Sequence, residues 1–203
     1  MVIGLTGGSG CGKTTALNAL RALGADCYDA DAIYYELLQT DAALLAAIET
    51  AFPGVVENGT LQRKRLGAQV FGNAAALARL TSLTQPFVVR EIRRRLRPGL
   101  SVIDAIGLFE SGLSVLCDCT VAVTAPREAR IARLMAREGV SRAYAEARLD
   151  AQRSDAEFSA RCDYTLHNSG SLPEFQTQCS KFFTTLIKGA NKNGTALQTE
   201  KRL

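Results

Sequence analysis

The chain has little of the chemistry that most hydrolases and metal proteins use. It contains one histidine, His167, among 203 residues. Its six cysteines form no Cys-x-x-Cys pair and no zinc-type spacing, so they predict reduced thiols rather than a metal centre or a disulfide framework. Because no serine or cysteine nucleophile arrangement accompanies the lone histidine, hydrolytic triads are excluded. Acid–base chemistry in this protein therefore falls to carboxylates.

Long apolar runs and targeting signals are also missing. No apolar run approaches the roughly 18 residues that a membrane-spanning helix needs. Met1 leads directly into Val-Ile-Gly-Leu-Thr without a basic segment, so no secretory signal is predicted. With 47% hydrophobic residues, the chain has enough apolar side chains for a full core without a metal or disulfide. These features predict a cytoplasmic globular protein without a membrane partner.

The formal charge of +4 is concentrated at the C-terminus. Residues 188–203 carry most of the excess, so the rest of the chain is nearly neutral. The basic run between Arg93 and Arg97 fits a solvated helix face as well as a ligand site. No recognition module accompanies the charge, so a nucleic-acid partner is not predicted. We expect a monomer or a weak homo-oligomer.

Apolar strands alternate with helical patterns along the chain, which is typical of a parallel sheet covered by helices. The predicted strands are residues 2–6, 27–28, 100–105, 120–124 and 164–166. Residues 41–97 read as almost entirely helical, with breaks at 52–54, 58–59, 72–73 and 85–86, and this is too much helix for one crossover. We therefore predict a three-layer α/β/α domain over residues 1–188, a helical insertion at about 41–97, and a disordered tail over 189–203.

The first predicted strand runs into Gly7-Gly8-Ser9-Gly10-Cys11-Gly12-Lys13-Thr14, a complete G-x-x-x-x-G-K-[ST] motif between a strand and a helix. Glycines let the backbone fold around phosphate oxygens, with inward N–H groups and the helix dipole behind them. Lys13 supplies a charge for the β- and γ-phosphates, and the Thr14 hydroxyl is placed to ligate Mg²⁺. The predicted nucleotide-binding residues are Gly8, Ser9, Gly10, Cys11, Gly12, Lys13, Thr14 and Thr15.

Cys11 lies within this loop, close to Lys13 and to a helix N-terminus, and both lower the pKa of a thiol. Sensitivity to oxidation is one interpretation. The other is that Cys11 simply stands in for a small residue.

The motifs of GTPases and motor ATPases are absent. No Asn-Lys-x-Asp sequence is present, and Val102-Ile103-Asp104-Ala105 carries a single acid where a motor ATPase usually has a pair. Asp29 and Asp31 instead follow the second strand, where the sheet places them opposite the phosphate loop. A carboxylate there accepts a proton from a substrate hydroxyl or holds Mg²⁺ through water. A helix N-cap explains one of the two aspartates, and we predict that Asp31 is the functional one.

Two helical stretches meet at Gly139, and together they predict a lid over about residues 133–155. They carry Arg133, Arg137, Arg142 and Arg148. Such a hairpin closes over a transferring phosphoryl group and excludes water. Spacing alone does not separate phosphate-binding arginines from surface arginines.

Several of these segments together resemble the dephospho-coenzyme A kinases. The matching residues run in order from Gly7–Thr15 through Asp29-Ala30-Asp31, Gly59-Thr60-Leu61-Gln62-Arg63 up to Val70-Phe71, Leu108-Phe109-Glu110, Arg133 to Arg142, Arg148, Gln152, Cys162-Asp163-Tyr164 and Asn168-Ser169-Gly170. The resemblance covers about residues 2–185, and the combination is more specific than the phosphate loop alone.

The resemblance implies ATP-dependent, Mg²⁺-assisted phosphorylation of the ribose 3′-hydroxyl of dephospho-coenzyme A, the last step of coenzyme A synthesis. It implies Asp31 as the base, Lys13 and Arg137 as catalytic cations, and a helical substrate-binding subdomain. Two departures affect the acceptor side: Gln85-Pro86 replaces the family's His-Pro, and Ile106-Gly107-Leu108 replaces Pro-Leu-Leu. The alternatives are a kinase of another small hydroxylated substrate, such as a nucleoside or shikimate, and a nucleotide-binding protein without transfer activity.

Overall fold

The computed structural model describes residues 1–193 of the chain, with side chains up to residue 190. The chain divides into two compact units. The first comprises residues 1–27, 98–106 and the chain from 117 onward, and the second comprises residues 28–97 and 107–116. In chain order the elements are β1 (Val2–Thr6), α1 (Lys13–Ala22), β2 (Asp26–Asp29), α2 (Ala30–Thr40), α3 (Ala42–Ala51), β3 (Val56–Glu57), β4 (Thr60–Leu61), α4 (Arg63–Val70), α5 (Ala74–Arg95), β5 (Ser101–Asp104), a 3₁₀ helix (Leu113–Leu116), β6 (Cys119–Thr124), α6 (Arg127–Glu138), α7 (Arg142–Asp150), α8 (Asp155–Arg161), β7 (Tyr164–His167) and α9 (Leu172–Asn193).

The first unit is built on a sheet with the strand order β2-β5-β1-β6-β7. The pairs β1–β5, β1–β6 and β6–β7 are parallel. The first strand of the chain, β1, therefore lies in the middle of the sheet, between β5 and β6. The loop that follows β1 therefore leaves from the centre of the carboxyl edge, where open α/β sheets bind their ligands. The predicted parallel sheet with flanking helices is confirmed.

The core of this unit forms because its strands are apolar on both faces, as parallel strands covered by helices must be. α1 and α9 pack against each other and against these strands. The fully buried side chains are Ile3, Leu5, Leu20, Val102, Val121, Val123, Phe175, Cys179 and Phe183. A smaller cluster joins α6 to α7, through Ile131, Leu134, Ala145 and Leu149. Gly139 ends α6 in the left-handed conformation, at the predicted hinge.

The second unit is organised around α5, which contacts α2, α3 and α4. Its buried face carries apolar residues one helical turn apart, including Leu80, Val88 and Ile92. In its last turn, Arg94 and Arg95 both bond to Glu91, and Arg95 also bonds to Glu36 of α2. Arg94 and Arg95 of the basic run at 93–97 are therefore held in ion pairs, which favours a structural role for these two residues over a ligand site.

One local prediction for this unit was wrong, and a second was right about a break but wrong about the structure on either side of it. The break expected at Gln85-Pro86 is absent, because α5 continues through Pro86. Proline in a helix interior costs about 3 kcal/mol, but the helix buries Thr84 and Val88 on either side of it, and this packing overrides the local preference. The break expected at 58–59 is present as the turn of a hairpin that joins β3 to β4, but the residues on either side of it form short strands rather than the predicted helix. Asn58 and Gly59 both have positive φ there, as a type I′ turn requires.

The helical unit begins at Tyr28, earlier than the predicted boundary at about residue 41, and includes residues 107–116. At the other end, α9 extends to Asn193, so the predicted disorder from residue 189 was wrong for residues 189–193. Ala190 and Lys192 favour helix and extend α9 at little cost. The remainder of the predicted tail, 194–203, lies outside the described residues. Among residues 1–193, no helix is both long and apolar enough to cross a membrane. All six cysteines lie in this part of the chain, and none forms a disulfide.

Candidate active site

The first unit contains a cavity of about 630 Å³ at the carboxyl edge of its sheet. This volume lies within the range of small-molecule and cofactor sites. The phosphate loop forms one wall, and α6 and α7 contribute arginines to another. The lining residues are Gly8, Ser9, Gly10, Gly12, Lys13, Thr14, Asp104, Ile106, Arg133, Ala136, Arg137 and Arg148.

The loop presents the start of α1 to this cavity. Gly12 is the N-cap residue, and it has no side chain that could bond the first N–H groups of the helix. The first turn contains no acidic residue. The backbone N–H groups of Lys13 and Thr14 precede the first intrahelical bonds, so they are suited to bind an anion with the helix dipole behind them.

Not every predicted loop residue faces the cavity. Cys11 and Thr15 are not among the lining residues, and their N–H groups bond to Gly8 O at 3.3 Å and Gly12 O at 3.0 Å. The N–H of Ser9 donates to Oε1 of Gln152 at 2.8 Å. The loop residues that line the cavity and whose N–H groups do not make these three bonds are Gly8, Gly10 and the Gly12–Thr14 segment.

The Lys13 side chain folds back over its own loop. Its Nζ donates to the carbonyl oxygen of Gly7 at 2.8 Å. This bond keeps the ammonium group next to the cavity instead of in solvent. A cation held there is available to phosphate oxygens that enter the loop.

The structure separates the four arginines that the sequence could not sort. Arg133, Arg137 and Arg148 line the cavity, whereas Arg142 does not. Arg142 is taken up by surface ion pairs with Glu128 at 2.8 Å and Glu146 at 2.7 Å. Three cations from the predicted lid thus face the same space as Lys13.

Glu138 holds two of these arginines. It bonds to Arg137, its neighbour in sequence, and to Nη1 of Arg148 at 2.6 Å. The two guanidinium groups, Arg137 first, keep the pKa of Glu138 below its ordinary value. The carboxylate therefore stays charged at neutral pH and keeps both guanidinium groups at the cavity.

Arg133 also contacts the loop itself. One guanidinium nitrogen donates to Gly10 O at 3.2 Å and another to Oδ1 of Asn168 at 3.2 Å. Asn168 is buried, and its side-chain amide donates to Cys11 O at 2.9 Å. The segment after β7 is thereby tied to the loop.

Sequence reasoning missed Arg130, which lies beneath the loop and is 6% exposed. It bonds to Ser9 O, Asp155 and Gln152. The signal in the sequence was its position: Arg130 precedes Ile131 and lies four residues before Leu134, so helical spacing assigns it to the apolar face of α6. An arginine on a buried face needs partners for its charge.

Oxygen ligands for a magnesium ion are present in the same cavity. The Thr14 hydroxyl and the Asp104 carboxylate both belong to residues that line it. No cluster of three or more metal-ligating side chains occurs in the described residues.

The two aspartates after β2 occupy different positions at the start of α2. Asp29 is the N-cap of α2, and its Oδ1 accepts the N–H of Ala32 at 3.0 Å. Asp31 lies in the first turn of α2 and is exposed. Helix capping therefore explains Asp29, and Asp31 lies where an acidic side chain interacts favourably with the helix dipole.

Neither Cys11 nor His167 is among the residues that line the cavity. Cys11 is 1% exposed, and burial raises the pKa of its thiol, although Lys13 acts in the opposite direction. The electrostatic effects expected from the sequence are thus outweighed by desolvation. His167 pairs through Nδ1 with the Thr124 hydroxyl at 3.0 Å and does not line the cavity.

Comparisons with known proteins show what the chain as a whole is similar to. A sequence model described as dephospho-CoA kinase matches residues 1–174. The chain is 42% identical over 199 residues to a dephospho-CoA kinase of Anaeromyxobacter dehalogenans, with 94% of each protein covered. It superposes on TT1252 of Thermus thermophilus with a TM-score of 0.74 and 32% identity, covering 93% of this chain and 97% of the other. A shikimate kinase of Acinetobacter baumannii gives a TM-score of 0.54 at 15% identity with 93% of each chain covered, a likeness of fold alone.

Proposed function

This chain belongs to the dephospho-CoA kinase family, and from that premise we propose that it transfers the γ-phosphoryl group of ATP to the ribose 3′-hydroxyl of dephospho-coenzyme A. The products are ADP and coenzyme A. The observation that carries the proposal is the convergence of the phosphate loop, Lys13 and three lid arginines on one cavity. That arrangement suits a polyphosphate with developing charge on the phosphoryl group in transit.

The cations have separate tasks. Lys13 and the N–H groups at the start of α1 hold the β- and γ-phosphates. Arg137 and Arg148 stabilise the charge on the γ-phosphoryl group as it moves to the acceptor, and Arg133 keeps the loop and the lid in register. Phosphoryl transfer depends mainly on positioning and charge stabilisation, so these groups supply most of the catalysis.

Mg²⁺ is the metal that the donor set favours. Thr14 would hold it directly, and Asp104 would hold it directly or through water. When bound, the ion neutralises charge on the β- and γ-phosphate oxygens. Thr14→Ala should raise the Mg²⁺ concentration needed for half-maximal activity, and Thr14→Ser, which keeps the hydroxyl, should not.

We assign the role of base to Asp31, which orients the acceptor hydroxyl and accepts its proton. Support comes from its exposed position in the first turn of α2, beside an aspartate that already fills the capping role. A general base accelerates such a step by about 10²- to 10⁴-fold. Asp31→Asn should lower kcat by at least about 10²-fold and leave the affinity for ATP unchanged.

Asp29→Asn is the matched control, since asparagine caps helices as well as aspartate does. Its turnover should stay close to that of the unmodified protein. Near-normal turnover of Asp31→Asn would remove Asp31 from the mechanism.

We assign recognition of the acceptor to the second unit. A cavity of about 350 Å³ lies there, lined by Gln39, Thr60 and Arg63 among others. The Arg63 guanidinium stacks on the Tyr35 ring at 5.1 Å. A cation beside an exposed ring suits an acceptor that carries both a diphosphate and a purine. Arg63→Met should raise KM for the acceptor without changing KM for ATP.

The first experiment is ADP release in Mg-ATP, with and without dephospho-coenzyme A, followed by mass analysis of the acceptor. Stimulated release together with the mass of one added phosphoryl group would support the proposal. Stimulation by shikimate or a nucleoside instead would assign the enzyme to another acceptor. ADP binding without transfer to any of them would leave a nucleotide-binding protein. The proposal also includes that the protein is a monomer or a weak homo-oligomer and that it does not bind nucleic acid. Light scattering tests the association state.

A further inference from the structure

A charged network contacts the first half of the phosphate loop through side chains that are not among those lining the cavity. Its centre is Arg130 of α6, whose Nε donates to the carbonyl oxygen of Ser9 at 2.9 Å. Nη1 donates to Oδ1 of Asp155 at 2.7 Å, and Nη2 donates to Oε1 of Gln152 at 3.4 Å. Because an arginine stays charged when it is buried, it requires this set of partners.

Ser9 is held at each of its polar groups. Its N–H donates to Oε1 of Gln152 at 2.8 Å, and its hydroxyl accepts from Nε2 of the same side chain at 2.8 Å. Its carbonyl oxygen is the one that Arg130 binds. Ser9 is therefore fixed to the protein behind the loop, and its backbone N–H is directed at Gln152 rather than at a phosphate.

Arg130 also packs closely against the glycines on either side of Ser9, Gly8 and Gly10. A Cβ atom on Gly8 would lie 2.0 Å from Nη2 of Arg130. A Cβ atom on Gly10 would lie 2.7 Å from the backbone carbonyl oxygen of Arg130. The first half of the loop thus rests directly on the side chain and backbone of Arg130. These two positions are glycine because no side chain fits between the loop and α6.

We propose that Arg130 is a positioning residue for phosphate binding. It holds Gly8–Gly10 in the shape in which the loop receives the phosphates, and Gln152 shares this task from the segment after α7. The inference uses the proposed function only in taking the ligand of the loop to be a nucleoside diphosphate or triphosphate. Without the bonds from Arg130 and Gln152, the glycine-rich loop would have to become ordered when the nucleotide binds. The conformational entropy lost on ordering one residue is enough to weaken binding about tenfold or more.

The test is ADP affinity in the presence of Mg²⁺, measured by titration calorimetry on the full chain. Arg130→Met keeps the length of the side chain and removes its charge and donors, and it should weaken ADP binding by about tenfold or more. Arg127→Met is the matched control. Arg127 begins the same helix and pairs with Asp150 at 2.8 Å, but it is half exposed and does not contact the loop. Its ADP affinity should stay within about twofold.

Further variants keep the inference testable if Arg130→Met folds poorly. Gln152→Ala removes two bonds to Ser9 and leaves the Arg130–Asp155 pair intact, and it should weaken ADP binding by about threefold to tenfold. Arg130→Lys retains the charge opposite Asp155 without the fork of donors. It should restore thermal stability but not ADP affinity.

A purely structural role predicts a different result. It would lower the melting temperature and the fraction of active protein while the surviving enzyme kept its ADP affinity and its KM for ATP. That result in both Arg130→Met and Gln152→Ala, or full recovery of ADP affinity in Arg130→Lys, would overturn the inference. ADP binding needs no acceptor, so failure to phosphorylate dephospho-coenzyme A would count against the proposed function and not against this role of Arg130.

Discussion

Arg148 of α7 donates a hydrogen bond to Glu138 of α6 over 2.6 Å, and the same carboxylate holds Arg137. One acidic residue thus holds two cations from two helices at the cavity that the phosphate loop lines. Arg142, on the same helix as Arg148, bonds instead to Glu128 and Glu146 on the surface. The difference between two arginines of one helix gives a direct test of the lid.

Arg148→Met should lower kcat by about 10²-fold, because it removes a cation from the cavity in which charge develops during transfer. The folded protein should lose little stability, since partly exposed ion pairs contribute about 1 kcal/mol or less. Steady-state kinetics with saturating acceptor measures the effect, and thermal unfolding confirms that the variant folds.

Arg142→Met is the control for that experiment. It removes an arginine of the same helix whose partners lie outside the cavity, so kcat should change by less than about twofold. Equal losses in the two variants would mean that the hairpin as a whole, and not the position of Arg148, determines the rate.

Local signals in the sequence were enough to predict the five strands of the parallel sheet and the phosphate loop, but not the short hairpin of β3 and β4. The run Val2–Thr6 is mostly apolar and is followed by Gly7 and Gly8, and it forms β1 with these bounds. Gly139 interrupts two amphipathic stretches and does end α6. Such features depend on a few adjacent residues, so the sequence contains the information needed to place them.

The roles of the arginines depend instead on residues distant in sequence. Arg130 contacts Ser9, which is 121 residues away along the chain, and no pattern around Arg130 identifies that partner. Pro86 is a second case in which the local sequence does not determine the structure. Its local effect predicts a break in the helix, but burial of Thr84 and Val88 keeps α5 continuous. Tertiary packing decides both cases.

Cys11 should react slowly with thiol reagents in the native protein, contrary to what its position in the loop alone suggests. It is 1% exposed and burial raises its pKa, so the thiol is both inaccessible and protonated. Brief treatment with iodoacetamide should alkylate it at least about tenfold more slowly in the folded than in the urea-unfolded protein, because reaction requires local opening. Peptide mass analysis measures both rates.

Cys162 is the internal control in the same digest. Burial also raises the pKa of its thiol, to about 11, but the residue is only half-buried. It should therefore react faster than Cys11 in the folded state. Faster reaction of Cys11 would restore the interpretation that the loop activates its thiol.

Acid should weaken the second unit through Glu91, which accepts hydrogen bonds from Arg94 at 2.7 Å and from Arg95 at 2.7 Å. These bonds, with Arg94 contributing most, lower the pKa of Glu91 from 4.5 to about 2. A carboxylate whose pKa is lower in the folded state adds stability that is fully present above its unfolded pKa. That stability is lost as the pH falls through the window from about 4.5 to about 2.

Because Arg94 is 70% exposed and water screens its charge, we expect Glu91 to contribute on the order of 1 kcal/mol to the unfolding free energy rather than the full value of the pKa shift. Urea unfolding at several pH values between 7 and 3 should show a smaller acid-induced loss of unfolding free energy in Glu91→Gln than in the unmodified protein. Identical losses in the two proteins would show that the Glu91–Arg94–Arg95 pairs do not contribute to the acid sensitivity of the fold.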